Sequence, residues 1–177
     1  MSKTIYLAGG CYWGVQKYVD QLPGILETEV GFANGSAVAP SYKQVCAGDT
    51  GHTETCRVVY DETVLPLHVL LHLFFRIIDP TQINRQGHDV GYQYRTGIFY
   101  DDPADLPVIA EMVGWLATQY EAPLALAVEP LSAFYPAEED HQKYLDKRPG
   151  GYCHVPLEQI LWARTLDLAQ YREENKL

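Results

Sequence analysis

Five strand-like segments alternate with helix-like ones, no internal repeat interrupts the order, and the Pro and Gly clusters sit singly between periodic stretches. These observations predict an α/β (α+β) fold: a ferredoxin-like split βαβ sandwich, with a mixed sheet, flanking helices and a loop-rich C-terminal region. With no low-complexity tract or long polar linker, residues 1–177 are assigned to a single domain.

Residues 3–8 read as a buried strand, Gly9-Gly10 as a tight turn, and 11–21 as a helix starting at or near Cys11. Segments 25–33 and 53–60 alternate apolar and polar residues as strands do, and the Gly/Pro/Ser-bearing stretch 34–52 joins them. A connection of that length inside one domain is usually functional. A helix apolar nearly all round follows at about 64–78, then a strand at 95–100. Asp101-Asp102-Pro103 opens a long helix to about 120. A strand at 124–129 and one amphipathic helix at 157–173 complete the pattern.

Composition narrows the function classes. Hydrophobic residues make up 47% of the chain and charged ones 20%, and no apolar run approaches a membrane span. A net charge of −10, with Lys and Arg scattered, argues against nucleic acid as a partner. Too few residues precede Leu7-Ala8-Gly9-Gly10-Cys11 for an export signal. Four cysteines without C-x-x-C spacing fit a reducing cytoplasm.

Cys11 is the sharpest feature. Unpaired N–H groups and the dipole at a helix start favour an anion there, worth somewhat under one pKa unit for ~1 kcal/mol. A small buried hydrophobe at a strand–helix junction fits the same local pattern. Tyr12 and Trp13 either wall a small apolar pocket, with Gly14 clearing space, or anchor the core. Glu54 opens a strand face shared with Cys56, Val58 and Tyr60, where a carboxyl would lose water and keep its proton; a surface acid at a fraying strand end is the alternative. The cluster Gln86-Gly87-His88-Asp89 through Tyr94-Arg95 offers a carboxylate and phenols, or simply turn chemistry. Cys153, in a Pro/Gly-rich stretch expected to be mobile, suits a resolving thiol, whereas Cys46 and Cys56 are expected to be packed.

A metal is not expected. His68 and His72 have the i, i+4 spacing of a zinc pair, but Val69 occupies the position of the metalloprotease Glu and Arg76 extends the stripe, so they read as the polar face of a buried helix. His52, His88, His141 and His154 stand isolated.

Taken together, Gly10-Cys11-Tyr12-Trp13-Gly14, Tyr42 with Gly51-His52-Thr53-Glu54, Gln86-Gly87-His88-Asp89, Gln93-Tyr94-Arg95 and Gly151-Tyr152-Cys153 resemble the A-type peptide methionine sulfoxide reductases, over nearly the whole chain to about 154. The resemblance implies Cys11 as nucleophile, Glu54 as proton donor, and Tyr42, Asp89 and Tyr94 as groups that bind and orient oxygen. It further implies Tyr12 and Trp13 as the methyl-binding wall and Cys153 as the sole resolving thiol. It implies the family's split α/β fold, no cofactor, thioredoxin as reductant, and methionine-S-sulfoxide, free or in proteins, as the substrate to be repaired. The protein is expected to be monomeric.

Two departures stand out. Most members have Phe where this chain has Tyr12, and nothing after Cys153 supplies the second recycling cysteine that some carry. Two other readings compete: a cysteine hydrolase pairing Cys11 with His52, and a non-enzymatic thiol module docking partners through its acidic surface.

Overall fold

Strands β1 (Ser2–Gly9) and β2 (Ile25–Ala33) are joined by helix α1 (Tyr12–Val19), and β3 (Thr53–Asp61) lies between them, antiparallel to both, in the computed structural model describing residues 1–177. This is the split βαβ unit. The short helix α2 (Tyr42–Cys46) interrupts the connection from β2 to β3, and α3 (Leu67–Phe75) follows β3. The hairpin β4 (Arg85–Gln86) and β5 (Asp89–Val90) then leads to β6 (Thr96–Tyr100), which pairs antiparallel with β1. Helix α4 (Leu106–Ala117), β7 (Ala127–Pro130), β8 (Phe134–Pro136), α5 (Tyr144–Lys147), α6 (Leu157–Arg164) and α7 (Leu168–Asn175) complete the chain.

The main sheet runs β7-β6-β1-β3-β2-β8, with β6 and β7 its parallel pair. Order β6-β1-β3-β2 is the ferredoxin-like core that the sequence predicts. Ile5, Leu7, Val30, Phe32, Cys56, Val58 and Tyr60 join Val15, Tyr18 and Val19 of α1 and the apolar face of α3 in one core. Each fully buried aliphatic or aromatic side chain there contributes roughly 1.5–3 kcal/mol. Tyr18 keeps its hydroxyl satisfied inside by donating to the Leu73 carbonyl at 2.9 Å. The opposite sheet face carries a smaller cluster of Tyr6, Ala8, Ala33 and Phe99, covered by Leu131 and Phe134.

Several expectations are corrected. The C-terminal helix is two helices, because Asp167 accepts the Gln170 N–H at 3.0 Å and starts a new one. The expected strand 124–129 begins at Ala127, and β8 and the β4–β5 hairpin were not anticipated. His68, His72 and Arg76 form the seam under the C-terminal helices: His72 Nδ1 lies 2.6 Å from the Tyr171 hydroxyl, and the Arg76 guanidinium sits 3.9 Å over the Trp162 ring. No group of three or more His, Cys, Asp or Glu side chains is placed to hold a metal ion, and no helix is long and apolar enough to cross a membrane.

Candidate active site

Cys11 caps α1 immediately after a turn that only glycine accommodates. Gly10 has φ +85°, and a Cβ on it would lie 2.7 Å from Gln86 Cβ. Gln86 is itself fixed, donating to the Asp79 carbonyl at 2.6 Å and to Thr96 Oγ1 at 3.0 Å while accepting the Asp79 N–H at 2.9 Å. The sulfur is thus delivered to the end of β1 on a rigid seat.

The electrostatics differ from those expected of a helix start. Cys11 is only 5% exposed, and burial, reinforced by Glu54, pushes its thiol well above the ordinary range; the Trp13 backbone N–H opposes this without reversing it. Desolvation outweighs the end of a two-turn helix. Without a bound partner, Cys11 is a thiol.

Glu54 is 1% exposed at the start of β3, opposite Phe32 of β2. Its Oε1 accepts the Tyr12 backbone N–H at 3.3 Å, while Oε2 is buried with no partner. Burial lifts its pKa from 4.5 to about 8, the Tyr12 N–H pulling down and Asp89 adding to the rise. The carboxyl therefore holds its proton at neutral pH, and the surface alternative is excluded.

Tyr42 and Tyr94 close the site from two other elements. The capping box of Ser41 and Gln44 (2.7 and 3.3 Å) starts α2 at Tyr42, and Tyr94 ends the short 3-10 turn before β6. Burial raises both phenols, and Glu54 and Cys11 raise each further, so the four groups share one site. Asp89 stands farther out on β5; its charge acts on Cys11 and Glu54, while Oδ2 accepts the Tyr152 hydroxyl at 2.8 Å.

The two aromatics after Cys11 divide their roles. Trp13 is half-buried and stacks on Tyr144 with ring centroids 3.8 Å apart, while its Nε1 donates to His141 Nδ1 at 3.3 Å. Tyr12 turns inward beside Phe32, at 5.8 Å between centroids, and its buried hydroxyl has no partner. Gly14 makes room for the C-terminal segment rather than for a pocket: a Cβ there would lie 3.1 Å from His154 Nδ1 and 3.2 Å from Cys153 Sγ.

Cys153 is half-buried over the first turn of α1 and donates to the Val155 carbonyl at 3.3 Å. It lines a cavity of about 460 Å³ with Lys17, Leu145, Val155, Ile160 and Arg164. Cys56 is fully buried as expected, whereas Cys46, expected to be packed, is exposed at the end of α2 beside the Tyr42 hydroxyl. All four cysteines are free.

His52 does not face Cys11. Its Nδ1 accepts the Gly35 N–H at 3.0 Å and its Nε2 lies 2.6 Å from the Ala37 carbonyl, so both nitrogens tie down the loop 34–52. That removes the base on which the hydrolase reading depends. His141 and His154, taken as isolated, instead belong to the site. His141 stacks on Tyr42 at 4.2 Å and holds Trp13; its signal in the sequence is its place two residues before Lys143-Tyr144.

The family model described as peptide methionine sulfoxide reductase matches residues 3–170. A protein of Lachnoclostridium phytofermentans named peptide methionine sulfoxide reductase MsrA is 53% identical over 155 residues, 88% of this chain and 93% of that protein. The crystal structure of Mxr1 from Saccharomyces cerevisiae in reduced form superposes with a TM-score of 0.83 at 41% identity, covering 88% of this chain and 91% of that one. Mxr1 in complex with Trx2 superposes at 0.58 and 28% identity, covering 81% and 84%.

Proposed function

We propose, given that this chain belongs to the peptide methionine sulfoxide reductase family and reduces methionine sulfoxide, that Cys11 is the nucleophile, Glu54 the proton donor and Cys153 the resolving thiol. The observation that carries the assignment is the neutral, buried Glu54 beside the Cys11 turn, with one carboxyl oxygen unpartnered.

Sulfoxide oxygen is a poor leaving group until protonated, and an acid with a pKa near the working pH serves that step. Glu54 gives its proton to the oxygen, and the carboxylate so formed takes the Cys11 thiol proton as the sulfur attacks. Cys11 sulfur bonds to the substrate sulfur, the protonated oxygen then passes from that sulfur to Cys11 as the substrate S–O bond and the transient S–S bond break, and methionine departs from a Cys11 sulfenic acid. Because each buried group is disfavoured as an anion alone, relaying one proton between them avoids a lasting charge. Tyr42 and Tyr94 donate to the oxygen, Asp89 orients it from the rim, and Trp13 with Tyr12 receives the methyl group.

Cys153 then condenses with the sulfenic acid, releasing water and leaving a disulfide that an external dithiol reduces. Thioredoxin is that reductant in our reading, supported by the Mxr1 complex with Trx2 and by the outward-facing cavity at Cys153. The few, unpaired cysteines favour a cytoplasmic protein, and the S epimer, free or in proteins, is its substrate. Incubation with racemic methionine sulfoxide and dithiothreitol tests the specificity: loss of the S epimer alone is expected, and loss of the R epimer overturns it.

A further inference from the structure

The residue after Cys153 packs against the two glycines that precede the nucleophile. His154 Nε2 lies 2.8 Å from the Gly9 carbonyl, and a Cβ on Gly10 would meet that same nitrogen at 3.2 Å. The carbonyl can only accept, so Nε2 carries the hydrogen and Nδ1 is left as a bare lone pair. Nδ1 is shielded from water and has no partner. Cys153 Sγ borders the same open position on Gly14, where a Cβ would stand 3.1 Å from Nδ1 and 3.2 Å from Sγ; at rest the thiol donates to the Val155 carbonyl and no hydrogen bond joins it to Nδ1.

A buried acceptor without a donor carries an uncompensated desolvation cost, and a structural anchor needs only the Nε2–H. We propose that His154 is the proton acceptor of the resolving step, a role that rests on Cys153 being the resolving thiol. The Cys153 thiol turns from the Val155 carbonyl to Nδ1, and its proton passes there as the Cys153–Cys11 sulfur bond forms. The S–O bond of the Cys11 sulfenic acid breaks, and the departing hydroxide takes that proton and leaves as water. Cys153 sulfur is oxidised, Cys11 sulfur is reduced, and no other reagent is consumed.

The titratable groups placed around the imidazole are Cys153, which shares the open position on Gly14 with it, and Asp89 on β5, whose charge acts on it. Burial lowers the imidazole pKa, opposed by the Gly9 carbonyl and by Asp89, so the lone pair stays free through the neutral range.

His154→Gln keeps a donor for the Gly9 carbonyl and removes the base. After one equivalent of methionine sulfoxide, disulfide formation is followed by mass at pH 6 to 9, with a 1,3-dione trapping the sulfenic acid. The variant should form its disulfide about 100-fold more slowly than wild type at pH 6, with trapped sulfenic acid accumulating. The deficit should shrink as pH rises and Cys153 ionises unaided. Completion of the sulfoxide-reducing step reports a folded variant. A disulfide rate equal to wild type at every pH, or one restored in His154→Gln but lost in His154→Ala, makes His154 a clamp only and overturns the proposal. Cys153→Ser run in parallel separates the two readings: if it still forms the catalytic disulfide, the assignment of Cys153 has failed and this inference with it.

Discussion

Tyr12 donates its backbone N–H to Glu54 at 3.3 Å and leaves the other carboxyl oxygen buried and unpartnered. The nucleophile's own helix start thereby orients the acid, one bond short of what a stable carboxylate needs. Glu54 holds a proton in the folded chain that the unfolded chain loses between about pH 4.5 and 8. Its destabilising effect is absent below that window, grows as pH rises through it and is complete above it. Glu54→Gln should therefore raise stability by roughly 1–3 kcal/mol at pH 7, measured by denaturant unfolding, while lowering the reduction rate by at least about 100-fold. In the wild type the reduction rate should fall as pH rises through about 8. A rate unchanged up to pH 9 would assign the proton to another group.

Native-state alkylation should follow burial rather than helix position. Cys46 is exposed and should react first, Cys153 next, and the buried Cys11 and Cys56 last. Mass mapping after brief iodoacetamide treatment at pH 8 checks this order. Fast labelling of Cys11 in the substrate-free protein would show a thiolate where burial favours the thiol.

How much of this was legible beforehand depends on the range of the forces involved. Period-two alternation places Glu54 on the face of Cys56, Val58 and Tyr60, and β3 fulfils it because α1 and α3 pack over the face that carries those three residues. Cys11 went the other way: a local helix start predicts a lowered thiol pKa, but the enclosure that raises it comes from residues far along the chain. The helix within the loop 34–52 was not legible, since the capping box of Ser41 and Gln44 supports only five residues. Likewise, nothing near His154 in sequence announces that its partner is the Gly9 carbonyl.

Tyr12→Phe should be tolerated and slightly stabilising. The hydroxyl is buried without a partner, and removing an unsatisfied polar atom recovers about 0.5–2 kcal/mol. Thermal unfolding reads the gain, with sulfoxide reduction retained. A loss of stability would mean that the hydroxyl is bonded to an ordered water.

Cys11→Ser should abolish reduction while leaving the fold intact, because the seat made by Gly10 and Gln86 does not depend on the sulfur. Circular dichroism together with turnover under dithiothreitol is the check. Residual turnover above background would remove Cys11 as nucleophile.

The resolving thiol gives the most discriminating pair of variants. Cys153→Ser should reduce about one equivalent of sulfoxide per chain and stop with Cys11 as a trappable sulfenic acid, since the first attack does not need the second cysteine. Thioredoxin-supported turnover should collapse, and dithiothreitol should restore part of it. Gly14→Ala should give a milder form of the same phenotype with every cysteine present. Its Cβ would stand 3.1–3.2 Å from His154 Nδ1, Val155 Cγ2 and Cys153 Sγ, pushing the C-terminal segment off α1 while Glu54 stays in place. Sulfoxide reduction in a single turnover should persist, and disulfide formation should slow. If Gly14→Ala instead blocks the first step and leaves resolution unchanged, the glycine serves the substrate pocket. The packing of Cys153 over α1 would then not be the arrangement from which the disulfide forms.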